Sequence, residues 1–164
     1  MSVQKSEIKL DVGGKPVNAY LASPVNGGPG VLVLHAWWGL KPYFKEVCDR
    51  LAEQGFVALA PDLRDGQIAK TIDEAKELMA KSDGQLIGQT VFTAKDHLRG
   101  MTKGKIGAVG FSMGAAWALI VASAVPDQVG AVVLFYGNED VDVTKITAKV
   151  KGHFSDKDEW EPNE

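Results

Sequence analysis

Apolar residues alternate with polar ones at Ile8, Leu10 and Val12, and again at Val17, Ala19 and Leu21, on either side of Gly13-Gly14. Period-two alternation across a glycine pair predicts a β-hairpin with one covered face. After the turn cluster Asn26-Gly-Gly-Pro-Gly30 the pattern changes. Val31-Leu-Val-Leu34 is continuously apolar, as a strand covered on both faces must be. Phe44, Val47, Cys48 and Leu51 then recur at helical spacing up to Gly55. Phe56-Val-Ala-Leu-Ala60 is a second buried run, stopped by Pro61.

Thr71-Ile-Asp-Glu74 has the spacing of a capping box and opens a helix expected to turn Ile72, Ala75 and Met79 inward. Ser82-Asp-Gly-Gln85 marks a break and a new start, after which Ile87, Val91, Ala94 and Leu98 make a second apolar stripe. Lys105 to Val109 predicts a third buried strand, Ala115 to Val125 a helix apolar nearly all round, and Val129 to Tyr136 a fourth strand. Val150 to Phe154 predicts a fifth buried strand.

Buried strands alternating with helices predict an α/β fold: a doubly wound, mostly parallel sheet preceded by an antiparallel hairpin. No repeat, low-complexity stretch or linker divides residues 1–164, so one domain is expected.

Composition narrows the function classes. The chain is 45% hydrophobic and 24% charged with a net charge of −3, which leaves no electrostatic footprint for nucleic acid or an anionic membrane. The longest apolar stretch, Ala115 to Ala122, is far too short to span a bilayer, and Met1 to Leu10 has no signal-peptide run. One cysteine, Cys48, excludes an internal disulfide framework. The expected compartment is the cytoplasm. With neither a phosphate loop nor clustered metal ligands, no cofactor and no metal are expected.

Chemistry concentrates at Gly110-Phe-Ser-Met-Gly114, a G-x-S-x-G pattern between a buried strand and a buried helix. A serine on such a turn presents its hydroxyl at the end of the sheet, and the small residues two before and two after let strand and helix approach. Ser112 is the candidate nucleophile. His35-Ala-Trp-Trp-Gly39 ends the first buried strand, where one backbone donor of an oxyanion hole belongs; the other comes from the residue after the nucleophile. Trp37 and Met113 are therefore the candidate donors, although Trp37 and Trp38 also suit plain core packing.

The base is harder to place. The chain has three histidines, His35, His97 and His153. His35 at a strand end reads as a hydrogen-bonded structural residue, His97 as half-exposed on a helix, and His153 as packed within the last strand. For the acid, Asp158 in the loop after that strand is preferred; Glu139, Asp140 and Asp142 after the preceding strand are the alternative.

Assembled, these residues resemble the dienelactone hydrolase family, within the α/β-hydrolase superfamily, from about Val17 to the last residue. The marks are Pro29-Gly30, His35-Ala-Trp-Trp-Gly-Leu40, Cys48-Asp-Arg-Leu-Ala52, Ala60-Pro-Asp-Leu63, Gly110-Phe-Ser-Met-Gly114, Phe135-Tyr-Gly137 and Asp158-Glu-Trp-Glu-Pro162. The resemblance implies hydrolysis of small esters or lactones, maps the triad aspartate onto Asp158, and makes Trp38, Arg64 and Tyr136 candidates for binding substrate.

Three departures matter. The family's best-known members carry a cysteine nucleophile where Ser112 stands, and a glutamate where Ala36 stands. The two changes agree: a glutamate that manages a thiol's proton has no task beside a hydroxyl, which needs a histidine base. The third is length. The family continues into further elements bearing the base histidine, so the resemblance implies a chain cut short or one completed by another chain. The expectation is a serine hydrolase of small carboxylic esters or lactones, with a binding or oligomerising scaffold as the rival. The strand around Val150, left as a sheet edge, is expected to support a homo-oligomer.

Overall fold

The computed structural model describes residues 2–158. The strand β1 (Val3–Val12) and β2 (Lys15–Pro24) form the antiparallel hairpin, with Val12 opposite Lys15. The two residues between them, Gly13 and Gly14, have φ of 61° and 87°. Positive φ at both positions is what a tight hairpin turn with the sheet's own twist requires.

The remaining strands are β3 (Gly30–Leu34), β4 (Val57–Pro61), β5 (Ile106–Phe111), β6 (Val129–Phe135) and β7 (Lys149–His153). The helices are α1 (Pro42–Glu53), α2 (Ile72–Ala80), α3 (Gly84–Met101) and α4 (Met113–Ala124). One seven-stranded sheet runs in the order β1-β2-β4-β3-β5-β6-β7, antiparallel from β1 through the β2–β4 pair and parallel from β4 to β7. No helix among the described residues is long and apolar enough to cross a membrane.

Helices cover both faces, so β3 and β4 are buried at every position, as their uninterrupted apolar runs require. Phe44, Cys48 and Ala52 of α1 pack with Val31, Val33, Ala58, Ala60 and Phe111 on one face. The stripe of α3 (Ile87, Val91, Ala94 and Leu98) and the inner side of α4 pack with Leu32, Leu34, Leu59 and Val132 on the other. Each fully buried leucine of this floor contributes about 1.5–3 kcal/mol, which makes the strand ends a stiff base for the loops above them. Burial also pushes the Cys48 thiol up to about 12, so it stays an inert packing group.

Two expectations are corrected. The strand β7 is exposed along its whole length, because it is the sheet edge and pairs with β6 alone. A run that reads as buried is thus a ladder partner on one side only. In α2 Ala75 alone is buried, while Ile72 and Met79 remain 47% and 40% exposed. The helix forms as its cap predicts, with the Thr71 hydroxyl accepting from the Glu74 amide, but it lies loosely on the body.

Candidate active site

Ser112 sits at the junction of β5 and α4 with φ 50° and ψ −118°. A non-glycine residue pays about 1–3 kcal/mol for such a conformation. It persists here because the surroundings leave no alternative. A Cβ on Gly110 would lie 2.2 Å from the Gly114 carbonyl oxygen, and one on Gly114 would lie 2.1 Å from that of Leu34. Glycine at both positions lets β5, α4 and β3 meet at backbone distance. A third glycine closes the turn from the side: a Cβ on Gly137 would lie 2.8 Å from the Ser112 Cα. The Ser112 amide donates to the Phe135 carbonyl (2.9 Å), and its carbonyl accepts from Ala115 (2.7 Å).

Met113 is the first residue of α4. The amides of a helix's first turn have no partner within the helix and lie at the positive end of its dipole, so they favour an anion. Trp37 and Trp38, both half-buried, follow β3 with their rings edge to face at 5.6 Å. The Lys41 ammonium lies 4.6 Å from the centre of the Trp38 ring. Tyr136 follows β6 with φ 41°, donates its amide to His153 (2.9 Å) and is 42% exposed.

The histidines separate clearly. His35 is fully buried; its Nε2 accepts from the Leu63 amide (2.9 Å), and Nδ1 donates to the Ala36 carbonyl (2.7 Å). Both nitrogens are committed, and burial pushes the ring's pKa down to about 4. It ties the end of β3 to the end of β4. His97 is exposed on α3, and His153 stacks on Phe135 at 4.8 Å.

Among the carboxylates, Asp142 is engaged: it accepts from the Thr144 amide and hydroxyl, which hold it below the usual carboxylate range. Asp158 is half-buried beyond β7. The segment 159–162 that resembles the family around this aspartate lies outside the described residues.

Arg64 lies elsewhere than a substrate-facing position would demand. It is 6% exposed, and its guanidinium turns toward α2, donating to the Leu78 carbonyl (3.4 Å), the Ser82 hydroxyl and the Met79 sulfur. The same Nη2 lies 3.0 Å from the Met113 sulfur, and Nε has no partner. No carboxylate pairs with it among the described residues, and desolvation lowers its pKa. The link from α2 through Arg64 to the residue after Ser112 has no signal in sequence, because it joins side chains 15 and 49 positions from Arg64. No group of three or more His, Cys, Asp and Glu is gathered for a metal among the described residues.

Residues 17–164 match the model of the dienelactone hydrolase family. Protein usf of Aquifex pyrophilus is 37% identical over 96% of this chain and 73% of its own length. A candidate carboxymethylenebutenolidase of Aquifex aeolicus is 36% identical over the same shares. The crystal structure of a candidate dienelactone hydrolase from Klebsiella pneumoniae shares the fold, with a TM-score of 0.85 over 99% of this chain and 76% of its own, at 23% identity. A seven-stranded sheet of this order, a strained serine between β5 and α4, and a family match over nine-tenths of its length place the chain in the dienelactone hydrolase family.

Proposed function

We propose that the chain is the nucleophile-bearing part of a serine hydrolase acting on small carboxylic esters or lactones. The observation that carries this reading is Ser112 itself, held at φ 50° on a turn whose neighbours exclude any side chain at 110 and 114. The Ser112 Oγ attacks the acyl carbon. The Met113 amide, at the positive end of α4, and the Trp37 amide hold the negative oxygen of the tetrahedral intermediate. Asp158 orients the base, and Trp38 and Tyr136 line the entrance. Arg64 acts from beneath, through the Met113 side chain, rather than on the substrate.

The base is not assigned among the described residues: His35 has both nitrogens engaged, His97 is exposed on α3 and His153 stacks on Phe135. A triad without one member retains only about 10³–10⁴-fold catalysis over water. Exogenous imidazole supplies a base where none is attached, which makes the reading testable. In buffered imidazole the chain should cleave p-nitrophenyl acetate faster than its S112A variant, both corrected for imidazole's own rate. Equal rates would refute Ser112 as the nucleophile.

A second reading, a scaffold that assembles through its edge, rests on one observation: β7 exposes all five residues, the large apolar Val150 among them, and Phe154 just after it is uncovered too. Antiparallel pairing of two β7 edges about a two-fold axis would satisfy their open backbone groups.

A further inference from the structure

The strands β5 and β6, unlike β3 and β4, are covered on one face only. In β6, Val132 and Leu134 are buried, whereas Ala131, Val133 and Phe135 between them stay partly or fully open. In β5, Ile106 and Ala108 are buried while Gly107 and Val109 are half-covered. A parallel strand with neighbours on both sides is ordinarily covered on both faces. Here α4 takes one side of β5 and β6, while α1, on the opposite side, packs mainly on β2, β4 and β3.

The opening has a defined shape. Its floor is Val109, Phe111, Val133 and Phe135, and its wall is Val47 and Leu51 of α1, both only half-buried. They bound hollows of about 450 and 320 Å³ that share Leu51, Val109 and Val133. From β5 to β7 the floor is about 10 Å wide, which is two strand spacings. That is the diameter of one helix with its side chains. An alkyl chain would leave most of the width open.

Charge gives the opening a sign. Register sets Val109, Val133 and Lys151 abreast on this face, with Gly107, Ala131 and Lys149 two residues earlier. The apolar floor therefore ends in a row of lysines along β7. Neither lysine is in an ion pair among the described residues. Arg50 and Lys105 also line the hollows, against the one carboxylate of Glu53 among the described lining residues.

We propose that this face is a docking groove for an amphipathic helix with an acidic flank, carried by a partner polypeptide. Its apolar stripe lies on Val109 and Val133, and its carboxylates meet Lys149 and Lys151. The proposal is independent of the role given to Ser112.

The probe is a synthetic amidated peptide of about 15 residues, long enough to form a helix. It carries leucines at i, i+3, i+4 and i+7 and glutamates along one flank; a second peptide has lysines in place of the glutamates. Each is titrated into the full chain labelled at its valine methyls. The glutamate peptide should shift Val47, Val109 and Val133 saturably and leave Val12 and Val17, packed on the other face, unchanged. At low salt it should bind about five-fold tighter than the lysine peptide. Sodium chloride at about 0.5 M should erase the difference. The double variant K149E/K151E, changed at two exposed positions, should reverse the preference.

Equal affinity of the two peptides at low salt, a preference that survives K149E/K151E, or binding by neither would overturn the proposal. So would shifts that reach Val12 and Val17. Movement of the Val109 and Val133 signals on dilution of the chain alone would assign the face to a second copy and overturn the partner helix.

Discussion

The Nε2 of His35 accepts the Leu63 amide proton at 2.9 Å, stitching the end of β3 to the end of β4 inside the core. An imidazole in this position must stay neutral, because protonating Nε2 would both bury a charge and break the bond. Unfolded, the ring titrates near pH 6.5; folded, burial pushes it down to about 4. The unfolded chain therefore takes up the proton first as pH falls, and stability drops from about pH 6.5 down to about 4 and levels off below. The contribution of this one site between pH 7 and pH 4.5 is on the order of a few kcal/mol. Urea unfolding at both pH values, in the parent chain and in H35Q, should give the smaller drop in H35Q. An equal drop would mean that another group carries the pH dependence.

Replacing Gly114 tests the close approach under the nucleophile. An added methyl would meet the Leu34 carbonyl at 2.1 Å and the His35 carbonyl at 2.8 Å, both backbone atoms that cannot rotate away. G114A should lose about 3 kcal/mol. G84A, where nothing stands within 4 Å, should fall within about 0.5 kcal/mol of the parent. Denaturant midpoints compare them directly, and a stable G114A would show that β3 and α4 can separate.

Arg64 should separate local from global stability. Its guanidinium makes no ion pair among the described residues, and the nearby buried Asp62 carboxylate keeps the Arg64 and Gly66 amides as donors when the guanidinium is removed. In R64M the overall unfolding free energy should stay within about 1 kcal/mol. The α2 amides should nevertheless exchange with solvent measurably faster, because Ala75 is the one buried side chain that remains to hold the helix. Unchanged exchange across 72–80 would show that the arginine does not fasten α2.

Association through β7 should be opposed by charge and therefore respond to salt. Lys149 and Lys151 alternate along the edge with Val150, and two antiparallel edges would bring these lysines near their mates. Light scattering across a dilution series should show a larger dimer fraction in 0.5 M than in 0.05 M sodium chloride, and a larger one still in K151T. A monomer at micromolar concentration under every condition would rule out the edge as an interface.

The sequence by itself determined the element types, the hairpin turn, both capped helix starts and the serine turn, since each depends on neighbours within a few positions. Gly13-Gly14 supplies the φ its turn needs, Thr71 caps with its own Glu74, and Gly110 and Gly114 flank Ser112 at a fixed spacing. The apolar stripe of α3 was equally legible, because 3.6-residue periodicity assigns its inner face whatever lies opposite. Burial that depends on distant partners was not legible. Val150 reads as a core residue, yet the sheet order leaves β7 at the edge with one neighbour. Ile72 and Met79 share a face with Ala75, but only the tertiary structure decides that the body reaches Ala75 and stops short of the other two. The same holds for His35 and Arg64, whose partners stand 28 and up to 49 residues away. Local spacing fixes which way a side chain points, whereas long-range packing alone decides what it meets there.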